Sequence, residues 1–139
     1  MRILLVEDNA GDARLVIEAV KECPVPAQVS VVQDGLQALA FLRREGQYTG
    51  APRPDLLLLD LNLPKKDGRE VLMEIKTDPV LKRIPIVILT SSYADEDVLQ
   101  AYTHGANCYV LKPIDLVAYF SLMHELVSFW GTRVRLPAM

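Results

Sequence analysis

Four apolar runs in this chain each end in residues that could act on one centre. Glu7-Asp8 follow RILLV, Asp60 follows DLLLL, Thr90-Ser91 follow PIVIL, and Lys112-Pro113 follow CYVL. Three carboxylates at one spot repel, since two unit charges ~4 Å apart interact by about 4 kcal/mol at an effective dielectric of roughly 20. A hard divalent cation relieves that repulsion, and Mg²⁺ takes oxygen ligands and pairs with phosphate. A carboxylate can itself attack phosphorus and become an aspartyl phosphate. Lys112 supplies a mobile positive charge for phosphate oxygens and Thr90 a hydroxyl donor. Phosphoryl transfer then needs mainly alignment and charge neutralisation. Taken singly, these residues have ordinary readings: strand-end acids cap helices, a lysine after a strand lies at the surface, and threonine favours strands. Asp60 resists that reading, because it closes a run of four leucines where an unpaired carboxylate is costly. Crowding of the three acids predicts that Asp60→Asn raises the metal-free melting temperature.

The elements that must position these residues are five apolar runs alternating with segments of helical period. Strands are predicted at 2–6, 28–32, 55–59, 85–89 and 108–111, and helices near 11–22, 35–45, 68–78, 95–104 and 115–130. Continuous apolar runs indicate strands covered on both faces. Their alternation with helices implies right-handed crossovers and a doubly wound, mostly parallel α/β sheet. In such sheets the working residues gather at the carboxyl ends of the strands, where all four sets fall. Asp67-Gly68 precedes the third helix, Asp78-Pro79 ends it, Asp115 caps the last, and Gly131 terminates it.

Composition narrows the class. Of 139 residues, 50% are hydrophobic and 24% charged, the profile of a globular domain. No apolar run reaches the roughly 18 residues of a membrane span, so no membrane partner and a cytoplasmic location are expected. The net charge of −3 and the absence of a basic cluster argue against nucleic acid. Cys23 and Cys108 imply neither zinc nor a disulfide framework. His104 and His124 are read as helix-surface positions.

The motifs LLVEDN at 4–9, LLLLDLNLPKKDG at 56–68, ILTSS at 88–92 and YVLKP at 109–113 together resemble the receiver domains of two-component response regulators. The resemblance covers Arg2 to about Trp130. It implies a flavodoxin-like fold with five parallel strands in order 2-1-3-4-5 and five helices. By position, Asp60 matches the phosphoacceptor. Glu7, Asp8, Asp60 and the Asn62 backbone carbonyl match the ligands of Mg²⁺ (or Mn²⁺). Thr90 and Lys112 match the residues that contact the phosphoryl group, and Tyr109 the switch aromatic. The Lys112–Pro113 bond is commonly cis in that family. Glu7 stands where many receivers have Asp.

A narrower match, in DARL at 12–15, DPVLKRIP at 78–85 and FWGTRVRLP at 129–137, resembles the single-domain regulators that partner bacterial phytochromes. It implies a histidine kinase partner, a phytochrome by this match. Asp12 and Arg14 on the first helix are the expected partner contacts. Residues 1–130 are expected to form the receiver and 131–139 a tail. In the last helix Leu116, Phe120, Met123, Val127 and Trp130 form the expected core stripe. Tyr119, Leu122, Leu126 and Phe129 widen it beyond the ~100° sector of a surface helix. A homodimer built from the fifth strand, fifth helix and tail is therefore expected. Two other readings compete. An Asp-nucleophile phosphatase typically has a second Asp two positions on, where this chain has Asn62. A phosphorylation-independent scaffold would keep the fold and lose the chemistry.

Overall fold

The computed structural model describes residues 1–138; Met139, the last residue of the expected tail, lies outside the described residues. Five parallel strands, β1 (Arg2–Val6), β2 (Gln28–Val32), β3 (Leu56–Leu59), β4 (Ile86–Thr90) and β5 (Cys108–Leu111), form one sheet in the order β2-β1-β3-β4-β5. Helices α1 (Ala10–Glu22), α2 (Gly35–Arg43), α3 (Gly68–Thr77), α4 (Asp95–Thr103) and α5 (Leu116–Ser128) connect and flank them. The expected fold class and strand order are those observed.

The apolar runs are continuous because successive side chains feed two separate cores. Leu4, Val6, Leu57, Leu59, Ile86 and Ile88 point to the α2–α3–α4 side. Ile3, Leu5, Leu56, Leu58, Val87 and Leu89 point to the α1–α5 side. Alternation across the pleat makes every position of the central strands apolar except Arg2 at the start of β1 and Thr90 at the end of β4. The order reverses between β1 and β3, and the acids of β1 and β3 flank that switch point.

Side-chain capping fixes where α1, α2, α3 and α5 start, whereas α4 follows Ala94 with no such cap. Asn9 accepts from the Asp12 N–H, Asp34 from the Gln37 N–H, Asp67 from the Arg69 N–H, and Asp115 from the Val117 N–H. Asp78 leaves the helical region before Pro79, and its carboxylate accepts from the Val80 and Leu81 N–H groups, starting a short 3₁₀ turn.

Three expectations need correction. Gly131 does not end the last helix: after Ser128 the chain continues through a π turn, Phe129–Arg133. Gly131 is small for another reason, since a Cβ there would lie 2.8 Å from Cγ1 of Val25. On α5 the buried residues are Tyr119, Met123 and Val127, whereas Leu116 is 56% exposed. Leu116 and Tyr119 thus exchange their expected places, because the first turn of α5 stands clear of the sheet, with Ile114 and Val117 also exposed. The Lys112–Pro113 peptide is trans, the form an X–Pro bond prefers by about 0.5–1 kcal/mol.

Candidate functional site

The loops at the carboxyl ends of β1, β3, β4 and β5 bring Glu7, Asp8, Asp60, Thr90 and Lys112 together. Glu7, Asp60 and Thr90 are buried, at 2%, 6% and 0% exposure, while Asp8 is exposed. One carboxylate oxygen from each of Glu7, Asp8 and Asp60 lies within 4.8 Å of the others. Asp60 is set by backbone packing: Gly68 begins α3 directly against it, and a Cβ at Gly68 would stand 2.1 Å from the Asp60 carbonyl oxygen. The Asn62 N–H donates to Asp60 Oδ1 at 3.3 Å, and the Asn9 N–H to Glu7 Oε2 at 3.2 Å.

Lys112 is the cation of this cluster. Its Nζ lies 2.5 Å from Glu7, 2.8 Å from Asp60 and 2.9 Å from Asp12, so all three ammonium donors meet carboxylates. Burial alone would lower the Lys112 pKa; the bonds to Asp60, Glu7 and Asp12 outweigh it and hold the ammonium protonated. Burial pushes Glu7 up to about 7 despite its bond to Lys112, and the Asp60 charge adds to the rise. One ammonium therefore faces four carboxylates, counting Asp8 and Asp12. An all-oxygen set, part buried and short of positive charge, suits a hard divalent cation such as Mg²⁺ or Mn²⁺.

Thr90 closes the β4 side. Its Oγ1 accepts weakly from the Ser92 N–H at 3.4 Å. Ser92, the last residue of the ILTSS motif, is a junction that the expected site residues do not include. Its hydroxyl donates to Asp97 at 2.5 Å, Asp97 pairs with Arg69 at 2.9 Å, and its carbonyl accepts the Tyr109 hydroxyl at 2.6 Å. The Tyr109 N–H in turn donates to the Tyr102 hydroxyl at 3.1 Å. One hydrogen-bonded chain thus runs from Thr90 to α3, α4 and β5.

The two expected partner-contact residues part ways. Arg14 is exposed and among the described residues makes only a 4.0 Å pair with Glu18. Asp12 reaches into the cluster through Lys112, 100 positions away in sequence. Its place one residue ahead of buried Ala13, in the first turn of α1, is the sequence signal that could have located it.

Comparison with known proteins is consistent with this geometry. The model of the response regulator receiver domain matches residues 3–123. The response regulator Rcp1 of Synechocystis sp. is 51% identical over 136 residues, covering 98% of this chain and 92% of that protein. The crystal structure of the Mn²⁺-bound form of Rcp1 superposes with a TM-score of 0.93 at 50% identity, covering 99% of each chain. The crystal structure of the phosphorylated cyanobacterial phytochrome response regulator RcpA gives 0.95 at 50% identity, covering 99% of this chain and 98% of that one. The bacteriophytochrome response regulator AtBRR gives 0.75 at 40%, covering 99% and 97%.

Proposed function

The chain belongs to the response regulator receiver family, and on that premise we propose that it takes a phosphoryl group onto Asp60 from a histidine kinase of the phytochrome class. The observation that carries this reading is the contact of Lys112 Nζ with Asp60 Oδ2 at 2.8 Å, at the carboxyl end of the central strand. It sets a positive charge beside Asp60, where the phosphoryl oxygens would arrive.

Glu7, Asp8, Asp60 and the backbone carbonyl of Asn62 are the residues that would hold Mg²⁺ or Mn²⁺. When bound, that cation supplies charge neutralisation for the phosphoryl group. Asp60 contributes the nucleophilic oxygen. Its bond to phosphorus forms as the donor's P–N bond breaks, and the electron pair returns to the donor imidazole, which takes up a proton. Lys112 turns from the carboxylates to a phosphoryl oxygen, and the Thr90 hydroxyl donates to another. Tyr109 follows when Thr90 moves, because both meet Ser92. Loss of the group is attack by water on phosphorus with Asp60 as the leaving carboxylate, so the chain acts as a timed switch and not as an enzyme on an external substrate.

RcpA, a cyanobacterial phytochrome response regulator, and AtBRR, a bacteriophytochrome response regulator, support the choice of kinase class. Arg14 and its neighbours on α1 form the proposed docking surface for it. The α4–β5–α5 face carries the output. There Leu99, Tyr102, Leu111, Leu116 and Val117 are exposed beside the sheet edge β5, and this supports self-association through β5, α5 and the tail. A cytoplasmic location and the absence of a nucleic-acid partner belong to the same reading.

Labelling by acetyl phosphate, followed by intact mass with and without Mg²⁺, tests it. A phosphate-sized gain that requires both Mg²⁺ and Asp60 is the expected result. No gain in the wild type under any divalent metal would replace this reading with a phosphorylation-independent scaffold.

A further inference from the structure

Two buried side-chain oxygens among the described residues lack a hydrogen-bond partner, Glu74 Oε2 and the Tyr119 hydroxyl. Glu74 meets the Lys66 ammonium as an ion pair, so the unexplained group is Tyr119. The residue is 2% exposed. An unsatisfied buried hydroxyl is unfavourable, and a phenylalanine would fill the same space without that penalty. Such a hydroxyl is explained by a second state of the protein in which it has a partner.

Tyr119 sits in the first turn of α5, in the core layer that includes Ala13 and Val16 of α1 and Leu5, Leu58 and Leu89 of the sheet. Ala13 of that layer adjoins Asp12, and Leu5 and Leu58 stand two residues before Glu7 and Asp60. Burial raises the Tyr119 pKa, and the charges of Lys112, Asp12, Glu7 and Asp60 all act on its hydroxyl. Of the three acids, Asp12 is the one whose needs change when Lys112 moves. Glu7 has the Asn9 N–H and Asp60 the Asn62 N–H. The Asp12 side chain has Lys112 as its one hydrogen-bond donor among the described residues.

Lys112 has three donors, and all three are already committed. We propose that the Tyr119 hydroxyl donates to the Asp12 carboxylate once Lys112 turns to a phosphoryl group, making Tyr119 and Asp12 a positioning pair that releases Lys112. This rests on the proposed phosphorylation of Asp60. Without the hydroxyl, Asp12 keeps its hold on the ammonium, and Lys112 reaches the phosphoryl oxygens less readily. The effect falls on the rate of uptake and not on cation binding, since neither residue is among the proposed ligands.

The test is a cycle of wild type, Tyr119→Phe, Asp12→Ala and the double variant. Each is phosphorylated by acetyl phosphate in saturating Mg²⁺, which removes kinase docking at α1 from the comparison. Tyr119→Phe should retain wild-type Mg²⁺ affinity, melt no lower than wild type without metal, and take up phosphate more slowly, on the order of tenfold for one hydrogen bond to a charged group. In the Asp12→Ala background, Tyr119→Phe should change nothing further. Equal rates for wild type and Tyr119→Phe, or the same slowing in both backgrounds, would overturn the inference. Wild type that takes up no phosphate would instead overturn the phosphoacceptor reading beneath it.

Discussion

The Tyr109 hydroxyl donates to the Ser92 carbonyl across 2.6 Å, tying the edge strand β5 to the loop between β4 and α4. Tyr109→Phe removes that bond while keeping the ring, and a net loss of about 1 kcal/mol is expected. The released Ser92 carbonyl should loosen the loop locally. Amide exchange at residues 91–94 is expected to quicken by about fivefold, with the protection of β1 and β3 unchanged.

Lys112 is the counter-charge that makes the metal-free cluster tenable, and its side chain is only 8% exposed. Lys112→Ala leaves Glu7 and Asp60 buried without an ammonium. Breaking a buried pair in this way is expected to remove about 3 kcal/mol of metal-free stability. The melting temperature should fall accordingly, and added Mg²⁺ should raise it by more than it raises wild type. The same geometry revises the expectation for Asp60→Asn. Relief of repulsion at Glu7 is offset by loss of the charge-assisted bond to Lys112, so the metal-free melting temperature should change little.

Glu7 gives the metal-free protein a pH dependence. Its folded pKa of about 7 lies above its ordinary value of 4.5, chiefly through burial. A raised folded pKa means that the Glu7 contribution is fully present below pH 4.5 and is lost as pH rises through 7. At about 1.4 kcal/mol per pKa unit the swing is on the order of 3 kcal/mol. Metal-free wild type should melt progressively lower from pH 5 to 8, while Glu7→Gln should show a flatter profile over that range. Saturating Mg²⁺ should abolish the difference, because the cation stabilises the ionised form.

Self-association through β5 and α5 makes a separate prediction. Val117 is 73% exposed and Leu111 is 47% exposed on that face. Charges placed there by Leu111→Lys and Val117→Glu should leave the fold intact and shift sedimentation at micromolar concentration from dimer to monomer. A wild type that sediments only as monomer, phosphorylated or not, would remove the dimer.

The contrast between Lys112 and Asp12 shows what the sequence makes legible. Glu7, Asp8, Asp60, Thr90 and Lys112 each stand at the end of an apolar run, and a parallel sheet brings strand ends together whatever their separation along the chain. Asp12 lies inside a helix, and its bond to Lys112 depends on how α1 seats against the carboxyl end of β5, of which the sequence carries only the place of Asp12 beside buried Ala13. The same holds for Ser92, Asp97 and Arg69, linked through side chains on three elements. Along residues 116–130 the nine apolar positions of the expected stripes occupy half the circumference, so periodicity alone could not tell whether Leu116 or Tyr119 faces the sheet.

Gly68 offers the most local test of how the fold holds its site. A Cβ there would stand 2.1 Å from the Asp60 carbonyl oxygen and 2.7 Å from the Leu61 Cα, both backbone atoms that cannot rotate away. Gly68→Ala must therefore push the start of α3 and the segment after β3 apart, at roughly 1–3 kcal/mol, as overpacking of a filled core does. The Gly68 N–H bond to the Leu61 carbonyl, 2.9 Å long, would stretch with it. Because that segment carries Asp60 and Asn62, the variant should lose Mg²⁺ affinity as well as melting temperature. Gly105→Ala is the control. There the intruding methyl meets the flexible Lys76 side chain at 3.1 Å, far from the acids, in a backbone with φ of +97°. It should lower the melting temperature through backbone strain and leave Mg²⁺ affinity alone. Titration of Mg²⁺ by intrinsic fluorescence on both variants separates the two outcomes. Equal loss of affinity in both would mean that the cluster responds to global destabilisation and not to the close approach at Gly68.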